Sequence, residues 1–446
     1  FGRGTGLIVL ERGCMDILRD LMDFLDSSVT MFHAINECEK VLQKSGFTYL
    51  PENEKWNINK GKYYTKRNSS SLIAFDIAEG DYHFQISAAH SDSPTFKLKD
   101  KPIIEANGYL KLNVEGYGGM INATWLDKPL TLAGRVMVNT DKGIETRLLH
   151  IDRDLLIIPN VPIHFNREIN KGFAFNNQVD MLPIFSAGNL KESDFDNMIA
   201  KELGIESGDI LAKDLYLVNR QKAAIIGFDN ELISSGRLDD LECVYTSLRG
   251  FVEAENKNHI NVFAVFDNEE VGSITKQGAM STFLASTLDR VNTALGKSKE
   301  EYYTAIAKSM LISCDNAHAI HPNHPELFDV KNRPVLNQGI AIKESANQKY
   351  TTDAFSRAIL KKILEKKNIP YQTFANRSDI AGGSTLGNLS NTVVSMNAVD
   401  IGLPQLAMHS AYETAGAKDV GYAFETLKAF FEANIDIKDD KVAIEV

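Results

Sequence analysis

At 446 residues the chain is too long for one small hydrophobic core and points to roughly two or three domains. Its 43% apolar and 24% charged residues are ordinary for a globular protein and predict a well-packed core with little disorder. Acidic residues outnumber basic ones by 59 to 48, a formal charge of −11, so polyanions are repelled over most of the surface and no nucleic-acid partner is expected.

The opening stretch "FGRGTGLIVLERGC" contains only the short apolar run "LIVL", too little for the core of a signal peptide. Met15 is a candidate start, and the residues before it are given no weight. No apolar run approaches the roughly 18 residues a membrane span needs, so no membrane partner is expected. Cys14, Cys38, Cys243 and Cys314 lack the close paired spacing of a zinc knuckle or a redox pair, and a cytoplasmic, reducing location is expected.

In chain order, "MDILRDLMDFL" places Ile17, Leu18, Leu21, Met22 and Leu25 on one helical stripe, and "FHAINECEKVLQKSGF" repeats the spacing up to Gly46. "SLIAFDI" and "YHFQISAA" read as strands, the second ending at "HSDSP", where Pro94 stops the ladder. From about Thr95 to Ala224 short alternating segments such as "YLKLNVEGYGG" and "LTLAGRVMVN" alternate with Gly, Asn and Asp-Lys turns, the texture of an all-β insert. Beyond it "AAIIGFD" and "NVFAVFD" read as strands buried on both faces, flanking a helix with Leu241, Val244, Tyr245, Leu248 and Val252 on one stripe. "SMLISCD", "DAFSRAILKKILEKK", "VVSMNAVDI" and "AFETLKAFFEAN" continue the strand and helix alternation, so residues 15–94 and 225–446 form one doubly wound α/β domain interrupted by residues 95–224.

Ligands in open α/β sheets bind beyond the carboxyl ends of the strands. Five such places hold titratable residues: His90 with Asp92 in "AAHSD", Asp239 with Asp240 in "GRLDDL", Glu269 with Glu270 in "FDNEE", Asp315 in "ISCDNAH", and His409 in "LAMHS". Singly, each has a plainer reading: a hydrogen-bonded histidine, a helix cap, a solvated acidic pair. Jointly they would be costly unless cations neutralised them, and mixed nitrogen and oxygen ligation suits zinc, with manganese or cobalt as alternatives. Two metal ions fit better than one, because His, Asp, Glu, Asp and His supply two sets of three if one carboxylate bridges.

These residues resemble the aspartyl aminopeptidase and vacuolar aminopeptidase I family of dinuclear metallo-aminopeptidases, through "AAHSDSP", "VEGYGG" with "LAGRV", "SGRLDDL", "FDNEEVGS", "CDNAHAIHPN", "TLGN" and "DIGLPQLAMHS". The likeness covers nearly the whole chain. It implies a doubly wound mixed-sheet catalytic domain with an inserted, barrel-like dimerisation domain. Residue by residue, it makes His90, Asp239 and Asp315 ligands of one zinc and Asp239, Glu270 and His409 ligands of the other. Glu269 corresponds to the catalytic base and Asp92 to the carboxylate that orients His90. Adjacent strand-end residues point in different directions, so Glu270 can hold metal while Glu269 moves protons.

The resemblance further implies that His164, in "PNVPIHFNRE" of the insert, completes a partner subunit's site. It also places His318 and Lys343 beside the substrate, Lys343 offering the local cation that an acidic side chain needs. "HAIHPNH" sets His318, His321 and His324 three apart, but Pro322 and Pro325 oppose a helical ligand face, and no third metal site is expected. "IAGGSTLGN" lacks the ending of a nucleotide P-loop. The loop "YGGMINATWLDKPL" departs from the family near Asn122. The expected activity is removal of single acidic or neutral residues from peptide N-termini, in a homo-oligomer that is at least a dimer and, by resemblance, a tetrahedral dodecamer. Two rivals remain: a deacylase or carboxypeptidase using the same centre, and a non-catalytic shell-forming cargo protein. The second would be expected to have lost the base or a ligand.

Overall fold

A computed structural model describes residues 4–255 and 258–446, with side chains from residue 16 onward; Cys14 and Met15 lie outside the described side chains. Four apolar runs set the architecture. Every residue of Phe84–His90, Ile260–Phe266 and Met310–Cys314 is buried, as is all but the first of Asn397–Gly402. Strands without a polar face must be covered on both sides, and these four lie next to one another, all parallel, at the centre of a nine-stranded sheet. Ser71–Ile77 and Gly61–Arg67 extend one side antiparallel, ending at Thr48–Tyr49. Ile340–Glu344, antiparallel to Asn397–Gly402, and Tyr371–Ala375 finish the other, so the sheet is mixed as expected.

Helices cover both faces. Gly4–Ser27, Met31–Lys44, Leu238–Glu253 and Ala417–Glu432 pack on one side through Leu21, Leu25, Val244, Leu248, Leu427 and Phe431. Phe283–Ala294 and Lys299–Lys308 cover the other through Phe283, Leu288, Val291 and Ala305. Ala354–Lys367 starts where Asp353 accepts the N–H of Ser356 at 2.8 Å in a capping box.

"AAIIGFD" is a correction. Ala224–Ile226 does not join the large sheet but edges a separate five-stranded one, in the order Ala224–Ile226, Leu232–Ser235, Glu413–Gly416, Pro404–Leu406 and Ala317–His318. Ile226 is 42% and Phe228 98% exposed. A short apolar run looks the same whether it is covered on both faces or forms an edge hairpin.

Between the two stretches of α/β sequence lies a six-stranded antiparallel sheet in the order Gly143–His150, Leu130–Thr140, Ile210–Asn219, Thr95–Ala106, Tyr109–Tyr117 and Ile184–Ser186. Alternation puts Leu112, Val114, Leu132, Val136 and Leu215 into its own core, joined by Phe195 and Ile199 of the helix Ser193–Leu203. The expected barrel-like closure is not seen: among the described residues the two outer strands do not pair, and the sheet is open. Closure needs two long outer strands in register, and Ile184–Ser186 has three residues.

Candidate metal centre

The carboxyl ends of three of the parallel strands, with one helix start and one turn beside them, deliver the expected residues to one place. His90 ends its strand opposite Phe266, Asp315 follows Cys314, and Asp239 sits in the irregular first turn of the helix Leu238–Glu253. His409 comes from the turn after Pro404–Leu406, with φ of 68°. Ligand-type atoms of His90, Asp239, Asp240 and Asp315 lie within 4.8 Å of one another, as do those of His90, Glu269 and Glu270, and those of Asp239, Glu270 and His409.

Asp239 stands in the middle. Its Oδ1 is 3.4 Å from His90 Nε2 and its Oδ2 is 3.3 Å from His409 Nε2, which is also 3.3 Å from Glu270 Oε2. Each imidazole is turned by a main-chain carbonyl: His90 Nδ1 is 3.0 Å from Asp92 O and His409 Nδ1 is 2.6 Å from Gly119 O. A carbonyl only accepts, so each Nδ1 carries the proton and each Nε2 presents its lone pair to the cluster. Asp92 thus orients His90 chiefly through its backbone, its Oδ1 lying 3.4 Å away. Its carboxylate works mainly elsewhere, accepting the N–H of Glu269 at 3.1 Å, the N–H of Glu270 at 3.2 Å and the hydroxyl of Tyr117 at 2.7 Å.

Glu269 and Glu270 do not diverge as strand neighbours. They lie in the 3₁₀ turn Glu269–Val271, between Asn268 at φ 61° and Gly272 at φ 100°. Successive residues in such a turn point about 120° apart, which separates the two carboxylates as well as strand alternation would.

The electrostatics show what the cluster lacks. Burial pushes Glu270 and Asp240 well above the ordinary carboxylate range, raises Asp315, and takes Glu269 up to about 8, the neighbouring carboxylates adding to each shift. Burial opposes ionisation of Asp239 too, yet His409 and His90 on either side hold it well below its usual value. Burial disfavours charge on His409, but Asp239 lifts it to about 9. Asp239 Oδ1 and Glu270 Oε1 are buried with no hydrogen-bond donor. Buried oxygens without donors, crowded beside two imidazoles, form a donor set that divalent cations complete, displacing the imidazole protons. The residues therefore fit a pair of metal ions, with Asp239 common to the group that includes His90, Asp240 and Asp315 and to the group that includes Glu270 and His409.

The remaining expected residues lie at different distances from this centre. Lys343 is 2% exposed and donates to Asp315 O at 2.6 Å, with Tyr350's ring 5.2 Å away. His318 is exposed, its ring 6.0 Å from that of Phe374. His164 lies in an exposed turn of the insert and is not among the clustered residues. His321 and His324 lie with ring centroids 5.2 Å apart and rings tilted by 40°, and among the described residues they join no such cluster. Sequence reasoning missed Tyr117, although "VEGYGG" contains it, and also Asn316, Gln405 and Glu413. All of these act through hydrogen bonds to residues distant in sequence.

Comparison with known proteins agrees with this geometry. Residues 24–431 match the family described as Aminopeptidase I zinc metalloprotease (M18). The chain is 46% identical over 422 residues to a probable M18 family aminopeptidase 2 of Clostridium novyi, covering 92% of this chain and 98% of that one. It is 37% identical to aspartyl aminopeptidase 1 of Schizosaccharomyces pombe, covering 94% and 96%. The solved mApe1 dodecamer of Saccharomyces cerevisiae superposes with a TM-score of 0.83 at 26% identity, covering 94% and 96%. With a family match spanning both halves of the fold and a buried cluster suited to two ions, the chain belongs to the M18 family and is a zinc-dependent metallo-aminopeptidase.

Proposed function

We propose that the chain removes single residues from the free N-termini of peptides at a dinuclear centre, with Glu269 as the general base. The observation that carries this reading is the placement of Asp239, whose two oxygens face different imidazoles at 3.4 and 3.3 Å, as a shared ligand must. When bound, the two cations lower the pKa of water and polarise the scissile carbonyl. Glu269 takes the proton of the attacking water and hands it to the departing amine nitrogen. Asp92 holds the backbone N–H groups of Glu269 and Glu270, so base and ligand are aimed by one carboxylate.

The first residue's side chain is received beside His318 and Lys343, which are near enough to interact electrostatically. The Lys343 ammonium gives an acidic side chain a counter-charge in an otherwise acidic region. Residues 95–224 act as a dimerisation domain inserted into the catalytic domain of residues 15–94 and 225–446. His164, flanked by exposed Val161, Ile163 and Phe165, contributes to the site of a partner subunit. The dodecamer named for the yeast relative is the proposed assembly, and the cytoplasm the proposed location. Among the described residues no helix is long and apolar enough to cross a membrane.

The test is hydrolysis of aspartyl, glutamyl, leucyl and methionyl amides, with free and acetylated N-termini, by zinc-reconstituted protein. Turnover confined to free amines supports the proposal; equal turnover of acetylated substrates favours a deacylase and overturns it. Loss of activity in His164→Ala, restored by mixing with subunits carrying Glu269→Gln, would support the shared site.

A further inference from the structure

Some residues shape the cluster without entering it. Glu413 begins the strand Glu413–Gly416 and is 2% exposed. Its Oε2 accepts the main-chain N–H of Asp239 at 3.1 Å, and its Oε1 accepts that of His409 at 2.7 Å. One carboxylate thus spans the backbones of two residues whose side chains face each other across 3.3 Å. The contact continues sideways: Gln405 Nε2 donates to Glu413 Oε1 at 3.4 Å, and Asn316 Nδ2 donates to Gln405 Oε1 at 2.7 Å. Asn316 directly follows Asp315, and its amide also lies 3.1 Å from both Leu238 O and Glu242 Oε2, beside Asp239. Three chain segments that bear cluster residues therefore converge on one buried hydrogen-bonded row.

We propose that Glu413 is a positioning residue of the metal centre. Its two oxygens, fixed in separation by the carboxylate itself, hold the backbones of Asp239 and His409 at a set spacing. Through Gln405 and Asn316 they tie that spacing to the turn carrying Asp315. The inference rests on reading the cluster as a dinuclear site. A carboxylate is acceptor-only, so each oxygen can take an N–H; a glutamine in its place keeps the shape but turns an NH₂ donor towards one of the two N–H groups. Either Asp239 or His409 must then let go.

The fold supplies its own control. Asp419 is equally buried, at 0% exposed, and also accepts two main-chain N–H groups, Asn337 through Oδ2 at 2.6 Å and Gly339 through Oδ1 at 2.8 Å. Neither of those segments bears a cluster residue. The two carboxylates do the same kind of work on backbone, and only Glu413 does it where ligands are attached.

The experiment compares wild type, Glu413→Gln and Asp419→Asn, each loaded with zinc and then transferred into excess chelator. Zinc release is followed over time, and the melting temperature of each zinc-free form is recorded. Glu413→Gln is expected to release zinc at least about tenfold faster than wild type, the scale on which outer partners of metal ligands act. Asp419→Asn is expected to melt lower while releasing zinc at the wild-type rate. Should Glu413→Gln not fold, Glu413→Asp makes the same comparison, with both oxygens kept on an arm one methylene shorter and faster release again expected. Release at the wild-type rate from the folded Glu413 variant, or equal acceleration in Asp419→Asn, overturns the inference. A wild type that itself binds fewer than two zinc ions per chain removes the dinuclear reading and this inference with it, whereas two tightly held ions in both wild type and variant remove this inference alone.

Discussion

The strand Phe84–His90 has a histidine at each end, His90 closing it and His83 directly before it, and both are 1% exposed. At the carboxyl end burial disfavours the imidazolium, but Asp240, Asp239 and Asp92 overcome it and hold His90 well above its ordinary value. At the amino end burial wins. It depresses His83, and it takes His259, stacked on His83 at 5.1 Å, down to about 4, His83 adding to that shift. Equal burial of the same side chain accompanies opposite shifts, so burial alone does not mark a functional end. The end that gathers carboxylates without donors is the one built to receive cations.

The sharpest way to break this contrast is Asp239→Asn. The amide removes the charge that both imidazoles face and turns an NH₂ towards one half of the centre, where an acceptor is needed, leaving the other half a neutral carbonyl oxygen. Zinc content should fall at both positions, and turnover by ~10³-fold or more, since the metal pair supplies several kcal/mol of transition-state stabilisation. An Asp239→Asn protein that retained its full zinc complement would refute the shared-ligand assignment. Glu269→Gln should separate binding from chemistry at the same end. It should keep its zinc while kcat falls by about 10²- to 10⁴-fold, the range for removing a general base. Unchanged turnover would remove Glu269 from that role.

A smaller effect is expected where the antiparallel sheet touches the centre. Tyr117 ends the strand Tyr109–Tyr117, donates to Asp92 Oδ2 at 2.7 Å and accepts Asn268 Nδ2 at 2.8 Å. Tyr117→Phe deletes only the oxygen, leaving the Asn268 amide one acceptor short and Asp92 one donor short. A hydrogen bond to a charged group contributes about 1.5–3 kcal/mol, so kcat should drop roughly tenfold or more while zinc content holds. A variant with wild-type kcat would show that the antiparallel sheet does not help aim Glu269 and Glu270.

Much of this site was legible because parallel strands buried on both faces read as unbroken apolar runs. "ISAAH", "VFAVFD" and "LISCD" each end beside residues that the fold brings together. The same signal misled at "AAIIGFD", since Ala224–Ile226 is an edge strand whose neighbour Phe228 is almost fully exposed. The hydrogen-bonded row behind the ligands could not be read at all. Glu413 follows no apolar run, and its partners are the backbone N–H groups of Asp239 and His409, which every residue but proline possesses. Lys343 shows the converse limit. A local cation could be expected from the charge balance, but that its ammonium would rest on the main-chain oxygens of Asp315 and Asn316 depends on a strand pairing that no spacing encodes.

The smallest predicted effect isolates the amino end. His259 is 2% exposed, its Nε2 lies 3.2 Å from the carbonyl of Phe431, and Asp81, Lys308 and Asp436 are charged groups near the stacked pair among the described residues. Burial holds His259 neutral down to about pH 4, whereas in the unfolded chain it takes up a proton near pH 6.5. Its folded pKa is therefore depressed, the unfolded state binds more protons between these values, and stability must fall as pH drops through that window. At pH 5 the loss relative to pH 7 comes to about 2 kcal/mol for this residue. His259→Gln keeps a donor for the Phe431 carbonyl but does not titrate, so urea unfolding at pH 7 and pH 5 should show a pH dependence weaker than wild type by about that amount. Zinc content at pH 7 should be unchanged, because the substitution lies at the end of the sheet remote from the cluster. An identical pH dependence in wild type and variant would mean that His259 is not held neutral by the fold, and the contrast between the two ends would lose its amino-terminal half.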